Sequence, residues 1–81
     1  MMEINWELIK QEGIRYLTDL IQIDTTNPPG NEKALAQYLQ TILINEGIEV
    51  KIYESAPGRA NLVAIIKGNG AARPVALLAH M

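Results

Sequence analysis

The sequence predicts an α/β chain in which two N-terminal helices are followed by three strands (ααβββ), and three observations carry that reading. Apolar residues recur at helical spacing through the first half of the chain. A Pro-Pro-Gly stretch divides that half in two, and after Gly47 the apolar period changes from helical to alternating. The 81 residues make one small domain at most. A chain of that size can bury only roughly 60% of the surface it exposes when unfolded.

The first helix is predicted over about residues 5–24. Trp6, Ile9, Leu17, Leu20 and Ile21 share one stripe with Gly13, while Glu7, Lys10, Gln11, Arg15, Asp19 and Gln22 take the other side. Asn5 is placed to cap it. The stretch DTTNPPGNE, Asp24 to Glu32, ends this helix, because two prolines and a glycine cannot continue it and Pro28 pushes Asn27 toward extended backbone. Asn31 then caps a second helix over about 31–46, with the Glu32 carboxylate in the first turn, where the helix dipole favours it. Leu35, Tyr38, Leu39 and Ile42 form its apolar stripe, and Gly47 terminates it.

Strands are predicted at about 48–54, 61–67 and 75–80. Ile48, Val50 and Ile52 alternate with polar neighbours, as in a half-buried edge strand, and SAPGR (55–59) is a turn. NLVAIIKG is denser in apolar residues, NGAARP is a loop, and VALLAH is apolar on both faces, as in a strand covered from both sides.

Composition narrows the function. Hydrophobic residues make up 48% and charged residues 20%, with a net charge of −2. That balance is too even and too scattered for a nucleic-acid or anionic-membrane surface. Without cysteine there is neither a disulfide nor a thiolate metal site. The opening MMEINWELIK lacks the pattern of a signal peptide, and no window approaches 18 consecutive apolar residues. The expectation is a cytoplasmic, soluble domain.

His80, the sole histidine, follows five residues without a polar side chain, at the carboxyl end of the third predicted strand. Ligands in open α/β sheets bind at that end, and a histidine there can offer a ring nitrogen to a metal. One histidine alone makes no site, and a solvated terminal residue is the plainer alternative. Asp24, Glu32, Glu46, Glu49 and Glu54 are dispersed, with Asp24 and Thr25 suited to turn hydrogen bonds and Glu49 and Lys51 to a solvent face. Ser55, Thr25 and Thr26 have no histidine in local reach, GNG (68–70) precedes a strand and not a helix, and Arg59 reads as a surface turn residue before an anion anchor. No catalytic residue is assigned.

The stretches LTDLIQIDTTNPPGNE, LINEGIEVKIYESAPGRANLVAIIKG and RPVALLAHM, in this order and spacing, resemble the opening segment of the M20 metallopeptidase family. That family takes in acetylornithine deacetylase, succinyl-diaminopimelate desuccinylase and aminoacylase, and the resemblance spans essentially the whole chain. It implies that residues 1–81 are the N-terminal, incomplete portion of a zinc-exopeptidase-like catalytic domain. Family enzymes hold two zinc ions and hydrolyse an amide in an N-acyl amino acid or small peptide. In them the strand ends in His-X-Asp, so His80 matches the first metal ligand and the aspartate would fall one residue beyond Met81. The bridging aspartate, general-base glutamate and remaining ligands have no counterpart here. The resemblance therefore implies a chain inactive by itself, binding no zinc tightly, with strand edges left bare. Bare apolar edges recruit other strands, so a homo-oligomer is expected. The alternative is a non-catalytic α/β interaction module that self-associates through those strands, and a third reading is a folding fragment without a cellular role.

Overall fold

The computed structural model describes residues 3–81. Its elements run α1 (Trp6–Ile21), α2 (Glu32–Asn45), β1 (Glu49–Ala56) and β2 (Arg59–Ile65). Both predicted helices form, each shorter than expected. Asn5 caps α1 as its sequence suggests, its Oδ1 accepting from the Leu8 N–H at 3.1 Å. Asn31 stands at the N-cap of α2 but makes no side-chain capping bond. Its neighbours take that role, with the Lys33 N–H donating to the Gly58 carbonyl at 3.1 Å. The C-terminus of α2 closes as predicted at Gly47, whose φ is +75°. The Gly47 N–H donates to the Ile44 carbonyl and the Ile48 N–H to the Leu43 carbonyl, the paired pattern of a Schellman motif.

β1 and β2 form an antiparallel hairpin in which Val50 lies opposite Ala64, Ile52 opposite Leu62 and Glu54 opposite Ala60. These pairs share one face, because side chains alternate along a strand. α2 packs against both strands, and the buried residues are Leu35 and Ala36 of α2 and Ala60 of β2. Small side chains at Ala36 and Ala60 allow helix and sheet to approach closely. The turn is Pro57-Gly58. Proline cannot supply the positive φ that mirror-image hairpin turns need at their first central position. The register instead shifts between Glu54 and Ala56, a bulge that adds local twist beside the turn.

Residues 75–80, predicted as a third strand, adopt no regular secondary structure. Val75, Leu77 and Leu78 are 87%, 94% and 96% exposed. A strand takes its hydrogen bonds from a neighbour, and the only sheet among the described residues is the two-stranded hairpin. The second predicted strand likewise ends early, at Ile65. The α/β class stands, with two strands in place of three.

α1 contributes no buried residue, and Trp6, Ile9, Leu17 and Ile21 of its apolar stripe are exposed. Its tie to α2 is the Tyr38 hydroxyl, which donates to Asp19 Oδ2 at 2.6 Å. That bond, with partial desolvation, pushes the Tyr38 phenol above its ordinary value. The radius of gyration is 14.8 Å, against about 12 Å for a compact chain of this length. Substituting Ala36→Leu should overpack the α2–hairpin contact and cost about 1–3 kcal/mol. Urea unfolding followed by circular dichroism measures this, and a variant as stable as its parent would show that the contact is not closely packed.

Candidate functional site

Two segments far apart in sequence meet at the start of α2. The loop from Asp24 to Asn31 folds on itself, with Asp24 Oδ1 accepting from the Thr26 N–H at 2.9 Å and the Gly30 N–H donating to the Thr26 carbonyl at 2.7 Å. The Asn27-Pro28 and Pro28-Pro29 peptide bonds are both cis. The path delivers Glu32 to the hairpin turn. There Arg59 Nε donates to both Glu32 oxygens, at 2.9 and 2.8 Å. The Glu32 side chain is 15% exposed and that of Arg59 38%. Sequence spacing alone placed Arg59 on a solvated turn; the structure gives it a carboxylate partner 27 residues away.

Gly30 is required beneath this pair. A Cβ there would lie 2.9 Å from Arg59 Nε and 3.0 Å from its Cζ, and φ is +69°. A second link runs beside it, where Lys33 Nζ lies 3.1 Å from Glu54 Oε2 and the Gly58 N–H donates to the same oxygen at 3.2 Å. Loop, helix start and hairpin turn thus form one clasp.

Three of the acids dispersed in the sequence, Asp24, Glu32 and Glu54, are therefore occupied structurally. The Arg59 hydrogen bond, helped by the backbone N–H of Glu32, holds the Glu32 carboxyl below the usual glutamate value. Lys33 and then the Gly58 N–H do the same for Glu54. Asp24 is lowered by its hydrogen bonds with Thr26, the turn role expected of it. Glu49 and Lys51 are exposed, as a solvent face requires.

His80 is exposed and lies outside every helix and strand. Among the described residues no three His, Asp or Glu side chains are grouped to hold a metal ion. One imidazole does not make the donor set that two zinc ions require, so the implied metal pair does not fit the residues present here, and no hydrolytic step is assigned to them. No helix among the described residues is long and apolar enough to cross a membrane.

Lowered carboxyl values have a defined consequence. Glu32, Glu54 and Asp24 release their protons more readily when folded, so they stabilise the fold at neutral pH. That contribution is fully present above the unfolded values, at about pH 4 to 5, and is lost as pH falls through the folded ones. Glu32→Gln should lower the thermal midpoint at neutral pH and flatten its fall on acidification. Parent and variant sharing the same acid limb would show that the clasp contributes nothing to it.

Comparison of the sequence with known proteins finds similarity to one named enzyme. The chain is 41% identical over 75 residues to proteins named probable succinyl-diaminopimelate desuccinylase from two strains of Staphylococcus epidermidis. The match takes in 91% of this chain and 17% of each relative. It is 31% identical over 83 residues to the uncharacterized protein YqjN of Bacillus subtilis, spanning 95% of this chain and 15% of that protein. No protein-family model and no solved structure matches it. The chain thus spans about a sixth of the length of these curated relatives.

Proposed function

We propose that this chain is the N-terminal part of the catalytic domain of an M20-like, metal-dependent amidohydrolase. The complete enzyme would hydrolyse the amide of an N-acyl amino acid, with N-succinyl amino acids the first class to test. The observation that carries this reading is the 41% identity to the desuccinylase-named proteins over 91% of the chain. In this reading His80 supplies the first metal ligand, completed by groups from the rest of the polypeptide. The metal pair, when bound in the complete enzyme, would polarise the scissile carbonyl and acidify a water. This chain's own contribution is positional. The clasp fixes α2 on the hairpin, and the segment after β2 carries His80.

The test is the polypeptide read through the codons that follow Met81, assayed with zinc on N-succinyl and N-acetyl amino acids. Hydrolysis is expected, with none from the 81-residue chain. Loss of a partner behind a metal ligand costs about 10–100-fold, so His80→Ala should lower kcat/KM by about 100-fold or more. A stop codon directly after Met81, or activity indifferent to His80→Ala, would sink the proposal.

A second reading has its own support, a non-catalytic module that self-associates. Val75, Leu77 and Leu78 are almost fully exposed, and Val63 and Ile65 are bare on the hairpin face away from α2. Apolar surface of this kind is costly in water. Sedimentation of the 81-residue chain should then give one defined oligomer whose formation is independent of zinc, whereas a monomer across the concentration series rejects it.

A further inference from the structure

The loop after β2 carries a reactive dipeptide. The chain has six asparagines, and only Asn69 is followed by glycine. A backbone nitrogen attacks the preceding asparagine's side-chain amide when it can reach that carbon without steric hindrance from its own side chain. Gly70 has no side chain, its φ is +78°, and nothing lies within 4 Å of where a Cβ would stand. The Gly70 N–H has no backbone hydrogen-bond partner among the described residues, so no ladder holds it. Asn69 Oδ1 accepts from the Ala71 N–H at 2.9 Å. That bond draws electron density from the amide carbon and keeps it folded toward the following backbone, the proximity an intramolecular reaction needs.

The other asparagines lack this combination. Asn5 is committed as the cap of α1, Asn45 lies in α2 and Asn61 in β2. Asn27 precedes Pro28, whose nitrogen has no proton to lose. Asn31 precedes Glu32, whose side chain is pinned by Arg59.

We propose that Asn69 is a site of spontaneous modification, converting through a cyclic imide to isoaspartate and aspartate. The Gly70 nitrogen bonds to Asn69 Cγ, the bond from Cγ to the side-chain nitrogen breaks, and ammonia leaves carrying the Gly70 amide proton. Water then opens the imide. Attack at Cγ gives aspartate, and attack at the former backbone carbonyl routes the main chain through the side chain as isoaspartate. Either product adds one negative charge to the net −2. Isoaspartate also inserts one carbon into the main chain just ahead of residues 75–80. The conversion is independent of the hydrolase reading.

The experiment incubates the chain in mildly alkaline buffer and follows its tryptic peptides by chromatography and mass spectrometry. Pro74 blocks cleavage after Arg73, so the peptide that begins at Gly68 holds Asn69 as its only side-chain amide. That peptide should exchange an amide NH2 for OH in mass and resolve into two products, faster at higher pH, while the peptides holding Asn45 and Asn61 stay unchanged. Gly70→Ala should slow the conversion about tenfold or more by crowding the nucleophile, and Asn69→Gln should abolish it. Asn69 reacting no faster than Asn61, or a single aspartate product formed equally fast in Gly70→Ala, would overturn the proposal.

Discussion

The ion pair between Glu32 and Arg59 is the constraint on which the rest of this small structure depends. It joins the first turn of α2 to the first residue of β2, 27 positions apart. The pair is half-sheltered, and Arg59 Nε serves both carboxylate oxygens. Few apolar side chains are buried: Leu35, Ala36 and Ala60 make up the buried hydrophobic set of the described residues. With so little apolar burial, the orientation of α2 on the hairpin leans on polar links of defined geometry. The Lys33–Glu54 contact and the Lys33 N–H bond to Gly58 act at the same place, so the start of α2 holds the hairpin turn through three links.

Much of the local structure was legible because it is written locally. Asn5, Gly47 and the Pro57-Gly58 turn each act within a few residues, and each behaves as its chemistry requires. The helical stripes of α1 and α2 were visible for the same reason. What could not be read is what depends on distant partners. Arg59 looked like a solvated turn residue since nothing in its neighbourhood marks Glu32 as its partner. Asn31 had the right residue type for a cap, yet its cap bond is missing because the tertiary link from Lys33 to Gly58 already satisfies the helix start. VALLAH has the composition of a central strand, but composition cannot supply the neighbouring backbone that a ladder needs.

The clasp also changes what the family resemblance rests on. NPPGNE and GRANLVA are two of the stretches that carry it, and the structure brings them into a single contact: Gly30, Asn31 and Glu32 against Gly58 and Arg59. Their residue types follow from that contact. Gly30 is needed because a Cβ would collide with the guanidinium, Gly58 because its φ is +76° at the turn with Asn31 Oδ1 close by, and Glu32 because its two carboxylate oxygens receive Arg59 Nε. Shared sequence at these positions therefore speaks for shared architecture. The proposed metal chemistry rests on His80 alone, and among the described residues no three His, Asp or Glu side chains group to hold a metal ion.

Architecture without chemistry still constrains function, because a metal ligand works only when its backbone is held. In this chain the clasp fixes β2 through Arg59, and β2 is the last element before the segment that carries His80. Between them lie the residues from Ile66 to Ala79, exposed and without regular structure. An imidazole on a segment without ladder bonds would have to be ordered before it could hold a metal, and the entropy of that ordering opposes binding. Anything that gives VALLAH a neighbouring strand, whether further polypeptide or a second copy, would remove that penalty while covering Val75, Leu77 and Leu78. The enzymatic and self-associating readings therefore start from the same unpaired backbone. They differ in what pairs with it: strands that bring further metal ligands complete a site, and strands that bring only hydrogen bonds complete a sheet.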